Sequence, residues 1–191
     1  MQIMEAMPNA APWSDGSTDL LKRWCEKASC MEWMHGWASA GAGRMNTLLT
    51  VPAIALSAAT GVMTTTAPTS FMMHLMTATS LASAVAASAA KVMRSAEKAE
   101  EHRNAALAWG RYLRKYRLQL SLPPADREPM RATLDNSKLE YDNLMEAYPS
   151  LTPHVVRDFE NQHAGFTGAR PDVTSGPTVV QIYGEVAAVE V

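Results

Sequence analysis

Residues 46–63 read NTLLTVPAIALSAATGVM, an uncharged run with a proline near its start and a glycine near its end. Such a run is compatible with a membrane span and with a buried helix of a soluble protein. The average composition leaves both open, because 47% hydrophobic residues, 19% charged residues and a mean hydropathy of -0.14 are ordinary for a soluble domain. The positions of the charges along the chain are more informative.

Residues 45–90 contain no Asp, Glu, Lys or Arg, so all 17 Lys and Arg and all 19 Asp and Glu lie elsewhere. The polar, proline-containing stretch TTTAPTS at 64–70 divides this region into two halves, 45–63 and 71–90. As a helix, each half would be about 30 Å long, which matches the hydrocarbon core of a bilayer. The pattern predicts two membrane spans joined as a helical hairpin.

Basic residues flank the charge-free region on both sides, whereas the connecting turn has none. The basic residues before the first span are Lys22, Arg23, Lys27 and Arg44, and those after the second are Lys91, Arg94, Lys98 and Arg103. Positively charged flanks are typical of the cytoplasmic side of a membrane protein. We therefore expect both chain termini on the cytoplasmic, or equivalent interior, side.

Both predicted spans are rich in small residues, which allow helix backbones to approach closely in a membrane. The candidate helix-packing residues are Ala53, Ser57 and Gly61 in the first span and Ser80, Ala84 and Ser88 in the second. These patterns favour contact with other helices over contact with lipid. We expect the chain to self-associate as a homo-oligomer in a lipid bilayer.

The rest of the chain predicts an all-α fold, in which the second span continues without a break into a long extended helix. An N-terminal amphipathic helix and C-terminal cytosolic helices complete the predicted membrane domain of residues 18–163. The predicted cytosolic helices cover residues 18–40, 91–120, 127–148 and 153–163. Pro52 is expected near the start of a span helix that begins near Leu49. Outside this domain, we expect residues 1–17 to form a disordered arm and residues 164–191 to form a linker and a β-prone tail. The stretch 178–191 is predicted to be disordered or to be a strand completed by a partner protein.

Tryptophans and a basic helix face are candidate membrane-interface residues, because both are enriched at bilayer surfaces. These residues are Trp24, Trp33, Trp37, Trp109, Arg111, Arg114, Lys115 and Arg117. A solvated basic face above a packed apolar stripe explains the same pattern, and the acidic C-terminal helices are expected to fold back on it. No nucleic-acid partner is expected, because four basic residues are few in a chain with a net charge of -2.

The motifs of common catalytic and metal sites are missing from the sequence, and we predict no enzyme activity, cofactor or metal. Glu32 and His35 have the Glu-x-x-His spacing of helical carboxylate-metal sites, but Ala99 stands where His102 would need its partner carboxylate. Cys25 and Cys30 are too few for a disulfide framework, and we expect free thiols in a reducing compartment.

Three segments together resemble the SLATT family of small two-span membrane proteins. They are LLKRWCEKASCMEWMH (20–35), RMNTLLTVPAIALSAATG (44–61) and AEKAEEHRNAALAWGRYLRKYRLQLSLPPADR (96–127). The residues that carry the likeness are Trp24, Lys27, Ala28 and His35; Asn46, Pro52, Ser57, Thr60 and Gly61; and Glu100 to Arg103. The resemblance covers about residues 18–163 and is greatest to members from large DNA viruses of algae and protists.

The resemblance implies a membrane effector, expected to form pores, that a separate sensor triggers in a conflict system. It brings no catalytic residues with it. Two alternatives remain open at this point. One is a structural component of a viral particle that links a virion membrane to a coat protein through its tail, and the other is a soluble helical interaction protein.

Overall fold

The structure is a computed structural model that describes residues 12–63 and 69–175. Every regular element in these residues is helical, which confirms the predicted all-α class for this part of the chain. The elements are α1 (Asp15–Met63), α2 (Ser70–Met93), α3 (Ser95–Ser121), a short 3-10 helix (Pro124–Asp126), α4 (Met130–Ala147), α5 (Pro153–Gln162) and α6 (Asp172–Ser175). The turn predicted at 64–70 lies largely outside the described residues, and the β-prone tail after residue 175 lies wholly outside them.

Helix α1 is one continuous helix of 49 residues, about 74 Å long. The predicted separation of an N-terminal helix at 18–40 from a span at 45–63 is therefore wrong, and so is a span helix beginning near Leu49, because Pro52 lies inside α1. A glycine inside a helix costs only about 1 kcal/mol. Contacts with α3 on both sides of Gly41 and Gly43, from Ser39 and Asn46, offset that cost.

The second prediction that fails is the unbroken helix from the second span to residue 120. Arg94 separates α2 from α3 and has a left-handed backbone, with φ 48°. No glycine or proline marks this position in the sequence, and a side chain in this conformation costs about 1–3 kcal/mol. One tertiary and one local contact stabilise the break: the buried Ser95 hydroxyl donates to Asn46 Oδ1 at 3.2 Å, and Arg94 pairs with Glu97 three residues further along the chain.

Helices α2 and α3 follow each other antiparallel to α1 despite the break. Ser83 of α2 contacts Ala53, Ser95 of α3 contacts Asn46, and further along Ser39 donates to the Ala99 carbonyl. We call residues 45–63 of α1 together with α2 the apolar hairpin. Residues 15–44 of α1 together with α3–α6 are the helical head.

The core of the helical head lies between α1 and α3, and α4 and α5 cover it. Apolar side chains at helical spacing on α1 meet an aromatic row on α3. The buried core includes Leu21, Cys25, Ala28, Met31 and Met34 from α1, Ala105, Trp109, Tyr112 and Tyr116 from α3, and Val155 and Phe159 from α5. Tyr112 also hydrogen-bonds to Ser137 of α4, with the two hydroxyl oxygens 2.6 Å apart.

Residues 166–172 pack against α1, although residues from 164 onward were predicted to form a linker. The Ala169 amide donates to Glu26 Oε2 at 2.8 Å, and Lys27 forms an ion pair with Asp172 at 2.8 Å. At the other end, Trp13 of the predicted disordered arm packs on the core and donates to the Glu128 carbonyl at 3.0 Å. Both ends of the described chain therefore contribute to the head.

Candidate functional site

The contact between the helices of the apolar hairpin is built on hydroxyl groups. Ser83 of α2 is buried and donates to the Ala53 carbonyl of α1 at 2.9 Å. Its oxygen lies 2.6 Å from that of Ser57. Because Ser83 has a single proton and uses it on Ala53, Ser57 donates to Ser83, and both hydroxyls are satisfied within the hairpin.

A second pair of hydroxyls lies closer to the turn. The Thr60 and Thr79 oxygens are 2.9 Å apart, and Thr60 donates to the Leu56 carbonyl at 2.8 Å. The Thr79 hydroxyl lies 3.0 Å from the Leu75 and Met76 carbonyls of its own helix, so each threonine has an acceptor within the hairpin. Internal pairing of this kind is what polar groups require in a hydrocarbon environment, where water cannot satisfy them.

The outer surface of the apolar hairpin is hydrophobic and uncovered. Two helices among the described residues are long and apolar enough to cross a membrane, and only 6% of the most apolar 18-residue window of each is buried. The core helix of a soluble protein would bury most of such a window. The uncovered residues include Leu48, Val51, Ile54 and Val62 on α1 and Phe71, Met73, Leu81 and Val85 on α2.

The predicted helix-packing residues divide between the inside and the outside of the hairpin. Ala53 is buried and Ser57 is hydrogen-bonded, so both contact α2. Gly61 lies on the exposed side of α1. The α2 set of Ser80, Ala84 and Ser88 is also exposed, because the neighbouring row through Thr79 and Ser83 faces α1 instead. Several small-residue rows run along α2, and residue type alone did not distinguish them.

Among the predicted interface residues, Trp37 lies nearest to the apolar hairpin. The Arg44 guanidinium lies over its ring at 5.6 Å, and Trp33 stacks on it with ring centroids 5.4 Å apart. The Trp37 indole donates to Asp158 Oδ2 of α5 at 2.9 Å. Trp37 therefore joins α5 to α1 just below the charge-free region.

The other predicted interface residues also belong to the helical head and lie farther from the apolar hairpin than Trp33 and Trp37. Trp24 is half-buried and packs against the core. Trp109 is fully buried beside Tyr112 and Tyr141, so the Trp109 ring cannot contact lipid. The basic residues Arg111, Arg114, Lys115 and Arg117 begin about 25 Å along α3 from Arg94. Lipid headgroups extend only about 5–8 Å beyond the hydrocarbon core, so this placement does not favour headgroup contact.

The basic face of α3 contacts α4, the first of the acidic C-terminal helices that were predicted to fold back on it. Lys115 forms an ion pair with Glu140 of α4 and also lies over the Tyr116 ring at 5.0 Å. The pairing raises the pKa of Lys115. An ion pair at this degree of exposure contributes little stability, on the order of 0–1 kcal/mol.

A buried histidine pair lies between α1 and α3 near the apolar hairpin, and the sequence analysis missed it. The Nδ1 atoms of His35 and His102 are 2.9 Å apart, and His35 is 1% exposed. Burial, followed by the charge that His102 can carry, lowers the pKa of His35 to about 4. Burial also lowers the pKa of His102, where Glu101 opposes the shift and Lys98 adds to it. A hydrogen bond between two neutral rings is the arrangement that fits.

The described residues hold little that suggests catalysis or metal chemistry. In residues 12–63 and 69–175, no group of three or more His, Cys, Asp or Glu is placed to hold a metal ion. Cys25 and Cys30 are free, as predicted, and both are buried, which raises the pKa of each thiol to about 11. Neither cysteine is therefore an activated nucleophile at neutral pH.

No protein-family model, no curated protein and no solved structure matches this chain.

Proposed function

We propose that this chain is an integral membrane protein whose apolar hairpin crosses the bilayer twice and holds the helical head at the cytoplasmic face. The observation that carries the proposal is the uncovered apolar surface of both hairpin helices, combined with hydroxyls that are paired only inside the hairpin. A water-soluble protein rarely exposes so large an apolar surface. In a bilayer, the hydrocarbon chains of the lipid cover this apolar surface and keep it away from water.

The orientation follows from the basic residues at the base of the hairpin. Arg44, Lys91, Arg94 and Lys98 lie on the head side of the charge-free region. Under the positive-inside rule, the head and both termini are cytoplasmic or on the equivalent interior side.

Cysteine labelling tests this proposal residue by residue. Ile54→Cys and Leu81→Cys replace side chains that are 63% and 66% exposed, and Leu118→Cys in the head replaces one that is 61% exposed. In membranes opened to admit a water-soluble maleimide, only Leu118→Cys should react, because lipid covers the other two positions. Labelling of all three at similar rates would mean that water surrounds the hairpin, and the protein would then be a soluble helical interaction protein.

The proposed role is that of a membrane-perturbing effector that self-associates and forms a pore. The resemblance to the SLATT family supports this role, as does the outward placement of Ser80, Ala84 and Ser88 on α2, where a second copy could approach closely. No enzyme activity is part of the proposal.

Dye release from liposomes tests pore formation, with a matched pair of variants to test self-association. Ala84→Leu adds bulk to the proposed contact row, whereas Ala82→Leu adds the same bulk to an exposed position on the opposite side of α2. Release by the unmodified chain should be reduced by Ala84→Leu and unchanged by Ala82→Leu. If the inserted protein releases no dye at any protein-to-lipid ratio, the pore is excluded while the membrane location stands.

A further inference from the structure

A cleft of about 480 Å³ opens where the helical head meets the apolar hairpin. Its walls come from α1, the N-terminal part of α3 as far as His102, and the N-terminal part of α5 as far as Asp158. One wall is lined by Gly41 and Ala42, which take up little of the space, and Met45 forms the rim next to the hairpin. We call this space the neck cleft.

The neck cleft lies at the depth of lipid headgroups if the hairpin spans the bilayer. The charge-free region begins at Met45, and Gly41 is about 6 Å below it along α1. The headgroup layer is about 5–8 Å thick on each side of the hydrocarbon core. The cleft therefore faces the headgroups of the leaflet on the head side.

The basic residues of the neck cleft are Arg44 and Lys98, which come from different helices. Within residues 12–63 and 69–175, neither takes part in an ion pair, whereas Lys27 and Lys115 elsewhere in the head do. The Arg44 guanidinium is held over the Trp37 ring at 5.6 Å. The cleft therefore contains two positively charged side chains, and neither is paired with a carboxylate among the described residues.

The carboxylate that lines the neck cleft, Asp158, already has partners. It accepts the Trp37 indole N–H at 2.9 Å and lies 3.4 Å from His154 Nδ1. These two contacts hold the Asp158 carboxylate at the side of the cleft that Trp37 and α5 form. Helix α5 begins after Thr152, at the edge of the cleft. The positive end of its dipole adds to the attraction for an anion.

We infer that the neck cleft binds the phosphate headgroup of an anionic phospholipid from the leaflet on the head side, with Arg44 and Lys98 as its phosphate ligands. This inference rests on the proposed membrane location. The apolar rim distinguishes a lipid from a free phosphate, because Met45 is 42% exposed and Leu48, one turn above it, is 68% exposed. A bound headgroup would leave its glycerol and acyl chains against these side chains.

Native mass spectrometry of the full chain released from lipid nanodiscs tests the inference. The discs contain phosphatidylcholine alone or mixed with phosphatidylglycerol, and the readout is the lipid retained on the protein. We expect retained phosphatidylglycerol in excess of its share of the mixture. Arg44→Gln and Lys98→Gln should each reduce the excess about fivefold. Lys138→Gln, which removes an exposed cation of α4 far from the neck, should leave it unchanged.

The remaining measurements separate the inference from the proposed function and from a free-phosphate site. Helix content and thermal unfolding in phosphatidylcholine discs show whether each variant is folded, and only folded variants are compared. A chain that inserts into both kinds of disc but retains no excess of phosphatidylglycerol overturns the inference and leaves the membrane location intact. A chain that fails to insert overturns the membrane location itself. Thermal stabilisation by inorganic phosphate in a neutral detergent, without lipid retention, would assign the cleft to a free anion and also overturn the inference.

Discussion

The Nδ1 atoms of His35 and His102 lie 2.9 Å apart and join α1 to α3 close to the apolar hairpin. One neutral ring donates and the other accepts, so the contact cannot survive protonation of both rings. Several titratable groups surround the pair. On α3, Lys98 lowers and Glu101 raises the pKa of His102. On α5, His154 and Asp158 line the neck cleft together with His102. Tyr148, which follows α4, lines the same cavity as His35.

The histidine pair predicts a loss of stability in acid. The folded-state pKa of His35 is about 4, below its ordinary value of 6.5, so the unfolded chain binds the proton more readily. The contribution of His35 to stability is therefore complete above pH 6.5 and is lost as the pH falls toward 4. Its full size is on the order of 3 kcal/mol.

Thermal unfolding of the detergent-solubilised protein across this pH range checks the prediction. The steepest fall should lie between pH 6.5 and 4, and His35→Gln should flatten it. His154→Gln removes an exposed histidine and should keep the fall. An equal pH profile for the unmodified chain and for His35→Gln would contradict the prediction.

The continuity of α1 across Gly43 makes a separate prediction. A Cβ added at Gly43 or at Gly36 meets nothing within 4 Å, so alanine at either position should stabilise the helix by up to about 1 kcal/mol. Gly43→Pro should destabilise by about 3 kcal/mol or more. Denaturant unfolding gives these values. A chain that turns between head and hairpin would gain stability only from Gly36→Ala and would tolerate Gly43→Pro.

The hydroxyl contact at Ser83 predicts which face of α2 tolerates bulk. Ser83→Leu overpacks the contact with Ala53 and removes the acceptor of Ser57, and should cost about 1–3 kcal/mol. Ser88→Leu makes the same chemical change on an exposed surface and should stay within about 0.5 kcal/mol. Unfolding of monomeric protein in mixed micelles measures both. Equal losses would mean that the helices pack through another face.

The burial of Trp109 predicts a large effect in the head. Trp109→Ala removes a fully buried ring from the aromatic cluster with Tyr112 and Tyr141, and should cost about 3–5 kcal/mol. Leu107→Ala, at a 53% exposed position of the same helix, should cost about 0.5 kcal/mol or less. Chemical denaturation followed by circular dichroism compares them. A small effect of Trp109→Ala would place the ring at a surface after all.

The sequence predicted the long apolar helices because charge exclusion and helical spacing are properties of residue type. It did not predict the break at Arg94, because no residue there favours a left-handed backbone, and the contact of Ser95 with Asn46 depends on how α3 packs against α1. Residue type alone favours a membrane-interface position for Trp109. Its burial is decided instead by its distance along α3 from the apolar hairpin and by its packing against Tyr141 of α4. The contact between His35 and His102 depends on the register of α1 against α3, which sequence spacing within one helix cannot give.

The most direct test of the membrane location is extraction of native membranes with alkaline carbonate in the absence of detergent. The unmodified chain should remain in the membrane pellet and be released only by detergent. The double variant Ile54→Lys, Leu81→Lys places a charge on each span at a cost of about 2.5–3.5 kcal/mol per lysine, and should be released more readily than Leu118→Lys in the head. Release of the unmodified chain by carbonate alone would contradict a bilayer-spanning hairpin.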